Sequence, residues 1–179
     1  EGIKQGLDAV IVFPSGAIGP FDYKVSEMGQ LLLDYARGFF YYVDGKYDFV
    51  DVRDVVFGII AAYEKAARGE RFILSGNLLP IKNILYTIQK VTKRRLKAFK
   101  IPFPVARFAS LFSPLCQQLS KKKPRFTSYS LYVLKSNSLL SYKKAEQILG
   151  YKPRSFFDTA KDTIAWFISQ GLLRRPRFN

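Results

Sequence analysis

The stretch "DAVIVFPSGAIGP", Asp8 to Pro20, decides how this sequence folds. Its first part, Asp8–Phe13, is apolar after Asp8 and contains three consecutive β-branched residues, which is typical of a strand buried on both faces in a parallel sheet. Pro14, Ser15 and Gly16 then predict a turn that ends the strand. Ligands of such sheets bind beyond the carboxyl ends of the strands, so the turn is the first candidate for a binding site.

Composition limits the class of protein. The 179 residues suffice for one domain, and a hydrophobic fraction of 48% with 16% aromatic residues excludes intrinsic disorder. No apolar run reaches the roughly 18 residues of a membrane span, so no transmembrane segment is expected. The single cysteine, Cys116, excludes an internal disulfide and predicts a cytoplasmic protein. The absence of histidine argues against most zinc sites and serine triads, and we expect no metal site.

Charge is unevenly distributed along the chain. Residues 1–64 carry 5 basic and 10 acidic side chains, whereas residues 65–179 carry 24 basic and 4 acidic ones. Such a basic segment could contact nucleic acid, an anionic membrane or an acidic partner, or it could simply solvate helix surfaces. We favour the solvated surface and do not expect nucleic-acid binding, because no nucleic-acid-binding motif accompanies the charge.

Strand-like and helix-like segments alternate, which predicts an α/β architecture. Ser26 and Asp54 are predicted N-caps, and Asp44-Gly45 predicts a hairpin turn. The predicted strands are Asp8–Phe13, Phe39–Val43, Tyr47–Val50, Arg71–Leu74 and Ala98–Ile101. The predicted helices are Glu27–Arg37, Val55–Ala67, Pro80–Thr92, Val105–Leu119, Ser141–Leu149 and Phe156–Gln170.

A buried parallel strand needs a neighbour on each edge. The seven residues before Asp8 are too few to supply one, so we expect the chain to begin within a larger fold.

Four stretches resemble one enzyme family in order and spacing, and together they cover Gly6 to Phe167. They are "GLDAVIVFPSGAIGP", "YDFVDVRDVVFGIIAAYEKAARGERFILSG", "KAFKIPFPVARFASLF" and "KKAEQILGYKPRSFFDTAKDTIAWF". The family is that of the extended short-chain dehydrogenases/reductases, the NAD-dependent epimerase/dehydratase group, in its dihydroflavonol-reductase and 3β-hydroxysteroid-dehydrogenase-like branch. The resemblance implies that residues 1–179 form a single domain, the C-terminal portion of a Rossmann-type enzyme. A few remaining strands and a mostly helical substrate-binding subdomain are expected, without the N-terminal dinucleotide-binding half.

The resemblance also implies a cofactor site. In this family the turn after the corresponding strand lies beside the nicotinamide ring, which makes Pro14, Ser15, Gly16, Ala17 and Ile18 candidate cofactor contacts. NAD or NADP is expected in the full-length parent, and none is expected to bind this chain alone.

If the family arrangement holds, the stretch after Pro20, through Ser26 and Met28, and the helix around Phe103–Phe112 would line the substrate side. Five further residues are the candidates for that side: Ser26, Met28, Arg53, Phe108 and Phe112. Their apolar members would suit a steroid, flavonoid or lipid. Core packing remains the alternative for the apolar members, and an ion pair with Asp51 remains the alternative for Arg53.

The family's proton-transfer pair, Tyr-x-x-x-Lys, is not expected in this chain. The two matches, Tyr42/Lys46 and Tyr86/Lys90, lie at the wrong place, and the first crosses a predicted turn. We therefore expect no catalytic residue here and predict that the chain alone is inactive. It is interpreted as the substrate-binding half of an NAD(P)-dependent oxidoreductase or epimerase that acts on a carbonyl or hydroxyl group of a small molecule. The alternatives are a stand-alone basic module for nucleic acid or anionic membrane, and a fragment that forms a homodimer over its free sheet edge.

Overall fold

A computed structural model of the chain describes residues 1–38, 40–94, 97–111, 128–136 and 139–174. Strands and helices alternate in this part of the chain. The strands are β1 (Ile11–Pro14), β2 (Gly16–Ile18), β3 (Phe40–Tyr42), β4 (Lys46–Asp51), β5 (Arg71–Leu74), β6 (Asn77–Pro80) and β7 (Ala98–Lys100). The helices are α1 (Glu27–Arg37), α2 (Val52–Lys65), α3 (Ile81–Thr92), α4 (Phe103–Leu111), α5 (Ser128–Lys135), α6 (Lys143–Leu149) and α7 (Phe156–Ser169).

The strands form three small sheets. β1 and β5 pair in parallel, with Ile11 opposite Arg71 and Pro14 opposite Leu74. β4 lies between β2, which is parallel to it, and β6, which is antiparallel. β3 and β7 form a third, parallel pair. Parallel strands joined through helices confirm the predicted α/β class.

The predicted hairpin at Asp44-Gly45 is wrong. β3 pairs with β7 and β4 pairs with β2 and β6, so the two strands that flank the turn do not pair with each other. Gly45 instead packs against α5, where a Cβ atom would lie 2.7 Å from the carbonyl oxygen of Leu134. Tertiary pairing therefore overrides the local turn signal.

Strand β1 is not buried on both faces as predicted. It begins at Ile11 instead of Asp8, and the side chain of Phe13 is 49% exposed. The physical reason is that α2 covers one face of β1 and β5 pairs with one edge, while no other strand of the described residues pairs with it.

Three elements were not predicted from the sequence: β2, β6 and α5. The predicted turn at Ser15-Gly16 is a single-residue connection, because Gly16 already pairs with Phe49 of β4. The predicted helix Val105–Leu119 begins at Phe103 and is described as far as Leu111, and residues 112–119 lie outside the described residues.

Three groups of buried apolar side chains form the core. The first lies among α1, α3, α7, β3 and β4, the second between the β1–β5 sheet and helices α2 and α6, and the third beneath α4 and α5. Their fully buried members include Leu32, Phe40, Ile88 and Phe167 in the first, Phe72, Leu74, Leu149 and Tyr151 in the second, and Val43, Ala106 and Leu131 in the third.

A buried ionic cluster joins the start of α2 to the C-terminal helix. Asp54, predicted as the N-cap of α2, lies instead in the first turn, because Asp51 is the cap and its Oδ1 accepts from the Arg53 backbone N–H at 2.8 Å. Asp54 accepts from the backbone N–H of Arg154 at 2.8 Å and from its Nη2 at 2.7 Å. The helix start and the segment before α7 are thus held by charge-assisted hydrogen bonds.

We predict that Asp54→Asn destabilises the chain by about 2 to 4 kcal/mol, since Arg154 loses the nearer of its two carboxylate partners and Asp54 is almost fully buried. Urea unfolding at neutral pH measures the change. Asp44→Asn is the matched control, because its pair with Lys100 is exposed on both sides and should leave stability unchanged. Equal losses in the two variants would contradict a structural role specific to the buried pair.

Tyr151 provides a test of the second core group. It is fully buried, and its hydroxyl donates to the carbonyl oxygen of Ser75 at 3.1 Å. Burial, together with the carboxylates of Asp54 and Asp48, raises the pKa of Tyr151 well above its usual value. The stability this contributes is complete below the ordinary tyrosine pKa of about 10 and is lost as the pH rises from there toward the folded-state pKa.

We therefore predict that the free energy of unfolding falls more steeply above about pH 10 in the native chain than in Tyr151→Phe, by up to about 1.4 kcal/mol per pH unit. Urea unfolding between about pH 8 and pH 11 gives both slopes. Tyr63→Phe, at a position 86% exposed, should keep the native slope. An unchanged slope in Tyr151→Phe would contradict the prediction.

Candidate functional site

The candidate site lies where the chain passes from one sheet to another. β1 continues into β2 through Ser15, and β5 continues into β6 through Ser75 and Gly76. β1 and β5 are parallel, so both connections leave the sheet at the same end, where the carboxyl ends of the two strands lie. The carboxyl ends of parallel strands, at a point where the sheet divides, are where ligands bind in α/β proteins.

Each connection contains a glycine at which its backbone packs closely against β4. A Cβ atom at Gly16 would collide with the ring of Tyr47, and one at Gly76 would collide with the carbonyl oxygen of Phe49. The backbone N–H of Gly76 also donates to Asp48 Oδ1 at 2.9 Å. The small size of these glycines is therefore needed for packing against β4, and a contact of Gly16 with the cofactor stays a prediction.

Two serine hydroxyls at these connections are buried without a hydrogen-bond partner in the described part of the chain: Ser15 Oγ and Ser75 Oγ. The backbone N–H of Ser15 is satisfied, because it donates to the carbonyl oxygen of Leu74 at 3.3 Å. A buried hydroxyl without a partner is uncommon and costs free energy. Both hydroxyls lie at the carboxyl ends of the parallel strands.

A cleft of about 260 Å³ opens beside the first connection. Three of the residues predicted from the sequence line it: Ala17, Ile18 and Ser26. The lining also contains Gly19, Pro20, Phe21, Asp22 and Val52, which are not among the individually named candidates. Phe21 and Asp22 belong to the stretch after Pro20 that the family resemblance assigns as a whole to the substrate side, whereas Val52 had no signal in the sequence.

The loop after Pro20 has an unusual backbone conformation. Phe21 and Val25 have φ values of 72° and 49°, in the left-handed region that side-chain-bearing residues rarely adopt. The rings of Phe21 and Tyr23 both form T-shaped contacts with Trp166 on α7. The centroid of the Phe21 ring lies 6.4 Å from that of Trp166, and the centroid of the Tyr23 ring lies 5.3 Å from it. Both rings are exposed, and Phe21 is the one that lines the cleft.

Ser26 is the N-cap of α1, as predicted. Its Oγ accepts from the backbone N–H of Gly29 at 3.1 Å and donates to Asp22 Oδ2 at 2.7 Å. The backbone N–H of Ser26 also donates to Asp22. The hydroxyl thus has partners in both roles, and its contact with a substrate stays a prediction.

The remaining substrate candidates do not line the cleft. Met28 packs against the first core group, and Phe108 is 66% exposed on α4, over the third core group. Phe112 lies outside the described residues. Of the cofactor candidates, Pro14 ends β1 and Gly16 begins β2, on either side of Ser15.

Arg53 is held in ion pairs. Its Nη2 lies 2.7 Å from Asp51 Oδ2, and its Nη1 lies 2.8 Å from Asp162 Oδ2 on α7. Hydrogen bonding to Asp51, and to Asp162, raises the pKa of the Arg53 guanidinium. Burial alone would raise the pKa of the Asp51 carboxyl, but hydrogen bonds from Arg53 outweigh it and lower that pKa. The ion-pair alternative is therefore the arrangement in the structure.

Neither Tyr-x-x-x-Lys match lines the cleft. Tyr42 is on β3 and Lys46 on β4, whereas Tyr86 and Lys90 share α3, with Lys90 Nζ 4.5 Å from the centre of the Tyr86 ring. Within the described ranges, no group of three or more potential ligands that could hold a metal ion occurs. None of the helices described is long and apolar enough to cross a membrane.

Comparison with known proteins gives relatives that are about twice as long. No protein-family model matches the chain. It is 33% identical over 172 residues to sterol demethylase protein B of Methylococcus capsulatus, covering 94% of this chain and 52% of that protein. It is 28% identical over 178 residues to a putative dihydroflavonol 4-reductase of Synechocystis, covering 96% of this chain and 51% of that protein.

Solved structures share the fold. The crystal structure of gox2253 superposes with a TM-score of 0.78 at 31% identity, over 96% of this chain and 52% of that one. A nucleoside-diphosphate-sugar epimerase from Pseudomonas aeruginosa has a TM-score of 0.74 at 21% identity, over 96% of this chain and 52% of that one. At 14% identity, RMD from Pseudomonas aeruginosa, complexed with NADPH, gives a TM-score of 0.63 over 94% of this chain and 51% of that one. By sequence the chain is homologous to the two curated relatives, its fold is that of the extended short-chain dehydrogenase/reductase and epimerase structures, and it spans about half the length of these relatives.

Proposed function

We propose that the chain forms the substrate side of an NAD(P)-dependent oxidoreductase or epimerase that acts on a carbonyl or hydroxyl group of a small molecule. The observation that carries this proposal is the position of Pro14–Ile18 at the carboxyl end of a parallel strand, beside a cleft, in a chain homologous to half of a putative dihydroflavonol 4-reductase. A dinucleotide-binding half of the kind implied by the family resemblance would supply the rest of the active site.

In this proposal the connection between β1 and β2 faces the nicotinamide. Its residues Pro14, Ser15, Gly16, Ala17 and Ile18 would position the ring beside the cleft. The unpartnered hydroxyl of Ser15 supports this assignment, since a buried hydroxyl at a ligand site gains a partner when the ligand binds. The cofactor, NAD or NADP, would transfer hydride to or from the substrate, and this chain's residues would orient the substrate and exclude water.

The surface of α2 supports the proposed second half. α2 is apolar around most of its circumference, because Val55, Ala61 and Ala62 are buried while Val56 and Phe57 are about half exposed. A helix with apolar residues on all sides is usually surrounded by other parts of the protein. We assign the dinucleotide-binding half as the cover of this face and of the neighbouring free edge of β1. A homodimer that covers the same face is the alternative.

The lining of the cleft favours an apolar substrate. Ala17, Ile18, Pro20, Phe21 and Val52 contribute apolar surface, and no lysine or arginine is among the lining residues of the described chain. A nucleotide sugar carries a diphosphate, which proteins usually bind with cationic side chains. The proposed substrate is therefore a polycyclic apolar molecule, such as a sterol or a flavonoid, and this agrees with the names of the two curated relatives.

The test compares the chain alone with the chain fused to the part of the Methylococcus capsulatus relative that it does not match. We predict no saturable NADH or NADPH oxidation by the chain alone, and cofactor binding with turnover of an apolar ketone by the fusion. Within the fusion, Ala17→Trp would fill the cleft at a residue proposed to face the nicotinamide, and it should raise both the KM for the substrate and the Kd for the cofactor at least about tenfold. Ala67→Trp, also at an exposed alanine, is the matched control and should change neither.

Turnover by the chain alone would contradict the proposal that a dinucleotide-binding half must supply the rest of the active site. A folded, cofactor-binding fusion that turns over nucleotide sugars and not apolar ketones would contradict the substrate class. A chain that sediments as a homodimer, with the α2 face covered, would replace the proposed second half by a second copy.

A further inference from the structure

One long stretch of this chain contains no negative charge. Residues 71–145 hold 16 lysines and arginines and not a single aspartate or glutamate. The proposed function uses none of these cations, because the cleft lining in the described residues contains neither lysine nor arginine.

Exposed apolar side chains accompany these cations on β3, β7 and α4. The rings of Tyr41 and Phe99 stack across the β3–β7 pair with centroids 5.6 Å apart, and both are about half exposed. All three residues of β7 are exposed. The chain continues from β7 directly into α4, where Val105 and Phe108 are also exposed. Surface aromatic and aliphatic groups therefore follow one another over two consecutive elements.

Three cations lie within the same short segment: Lys97, Lys100 and Arg107. All three are exposed, and Lys100 Nζ is 2.5 Å from Asp44 Oδ2 on the loop after β3. We name the group Tyr41, Lys97, Phe99, Val105 and Arg107 the β7–α4 surface. Lys100 is not included, because it alternates with Phe99 along β7 and pairs with Asp44.

We propose that the β7–α4 surface binds peripherally to an anionic membrane. Lysine and arginine side chains are attracted to acidic lipid headgroups, and exposed aromatic and aliphatic side chains enter the boundary between headgroups and acyl chains. Neither attraction alone gives stable binding, whereas the two together do. The positive charge of residues 71–145 is complementary to the negative charge of such a membrane. The stretch contains no acidic residue of its own that could neutralise this charge.

The apolar members favour a membrane over a nucleic acid. Single-stranded nucleic acid is bound by aromatic rings on which bases stack, in a basic groove. Phe99 already stacks on Tyr41, and Val105 has no π-face to offer a base. Val105 and the outer edge of Phe99 do gain free energy by leaving water for the acyl boundary of a bilayer.

The experiment measures co-sedimentation of the native 179-residue chain with vesicles at about 0.15 M salt. One set of vesicles is phosphatidylcholine, and the other contains about 30% phosphatidylserine. Binding is expected to the anionic vesicles, to weaken as salt rises, and to be at least about tenfold weaker on phosphatidylcholine. Absence of binding to anionic vesicles would overturn the proposal, and so would binding to duplex DNA in preference to them.

Two double variants test the residues. Lys97→Glu with Arg107→Glu should weaken binding at least about 25-fold, as expected from about fivefold per cation, whereas the matched control Lys152→Glu with Arg174→Glu should have a much smaller effect. Phe99→Ser with Val105→Ser should weaken binding at least about fivefold. Its matched control, Val56→Ser with Phe57→Ser, removes the same two residue types from the α2 face and should leave binding unchanged.

The controls make the assignment falsifiable. Equal losses in each variant and its control would mean that net charge or the α2 face produces the binding, and would overturn the β7–α4 surface. The substituted side chains are about half exposed or more, so thermal unfolding should show native-like stability in the four variants. Because these tests use neither cofactor nor substrate, their failure would leave the proposed enzymatic role intact.

Discussion

The buried carboxylate of Asp51 is the group on which the arrangement of the site depends. It caps α2, binds the guanidinium of Arg53 and lies 3.7 Å from Arg154 Nε. A buried carboxylate is costly unless it is paired, and here the partners come from the start of α2 and from the segment before α7. The pairing therefore fixes the C-terminal helix against the end of β4, next to the wall of the cleft formed by Val52.

This constraint explains how a short chain forms two distinct layers. The β1–β5 sheet with α2 and α6 is one layer, and β2–β4–β6 with α1, α3 and α7 is the other. The chain crosses between them at Ser15 and at Ser75, and both crossings pass β4 at a glycine where a side chain would collide. The two buried hydroxyls and the cleft occur at these crossings because the sheets separate there and leave the strand ends uncovered.

Local signals predicted the elements whose structure is decided locally. Ser26 caps α1 and Gly38 ends it with φ of 102°, both within one helical turn of the residues that they stabilise. The hairpin at Asp44-Gly45 and the cap at Asp54 were wrong for the opposite reason. Phe49 of β4 pairs with Gly16 and Asn77, and Asp54 binds Arg154, one hundred residues away. No pattern within a short window contains these partners.

By itself, the sequence determined the α/β class, the ends of several helices and the separation of charge between the two parts of the chain, and it indicated the strand end beside which the cleft opens. These follow from periodicity, capping chemistry and composition, which are properties of neighbouring residues. Only the tertiary structure decided that Ser15 joins two sheets, that Phe21 and Val52 complete the cleft and that Arg53 is held by two carboxylates. Those features depend on contacts between residues far apart in the chain, and the free energy of such contacts is set by packing and burial, not by local sequence.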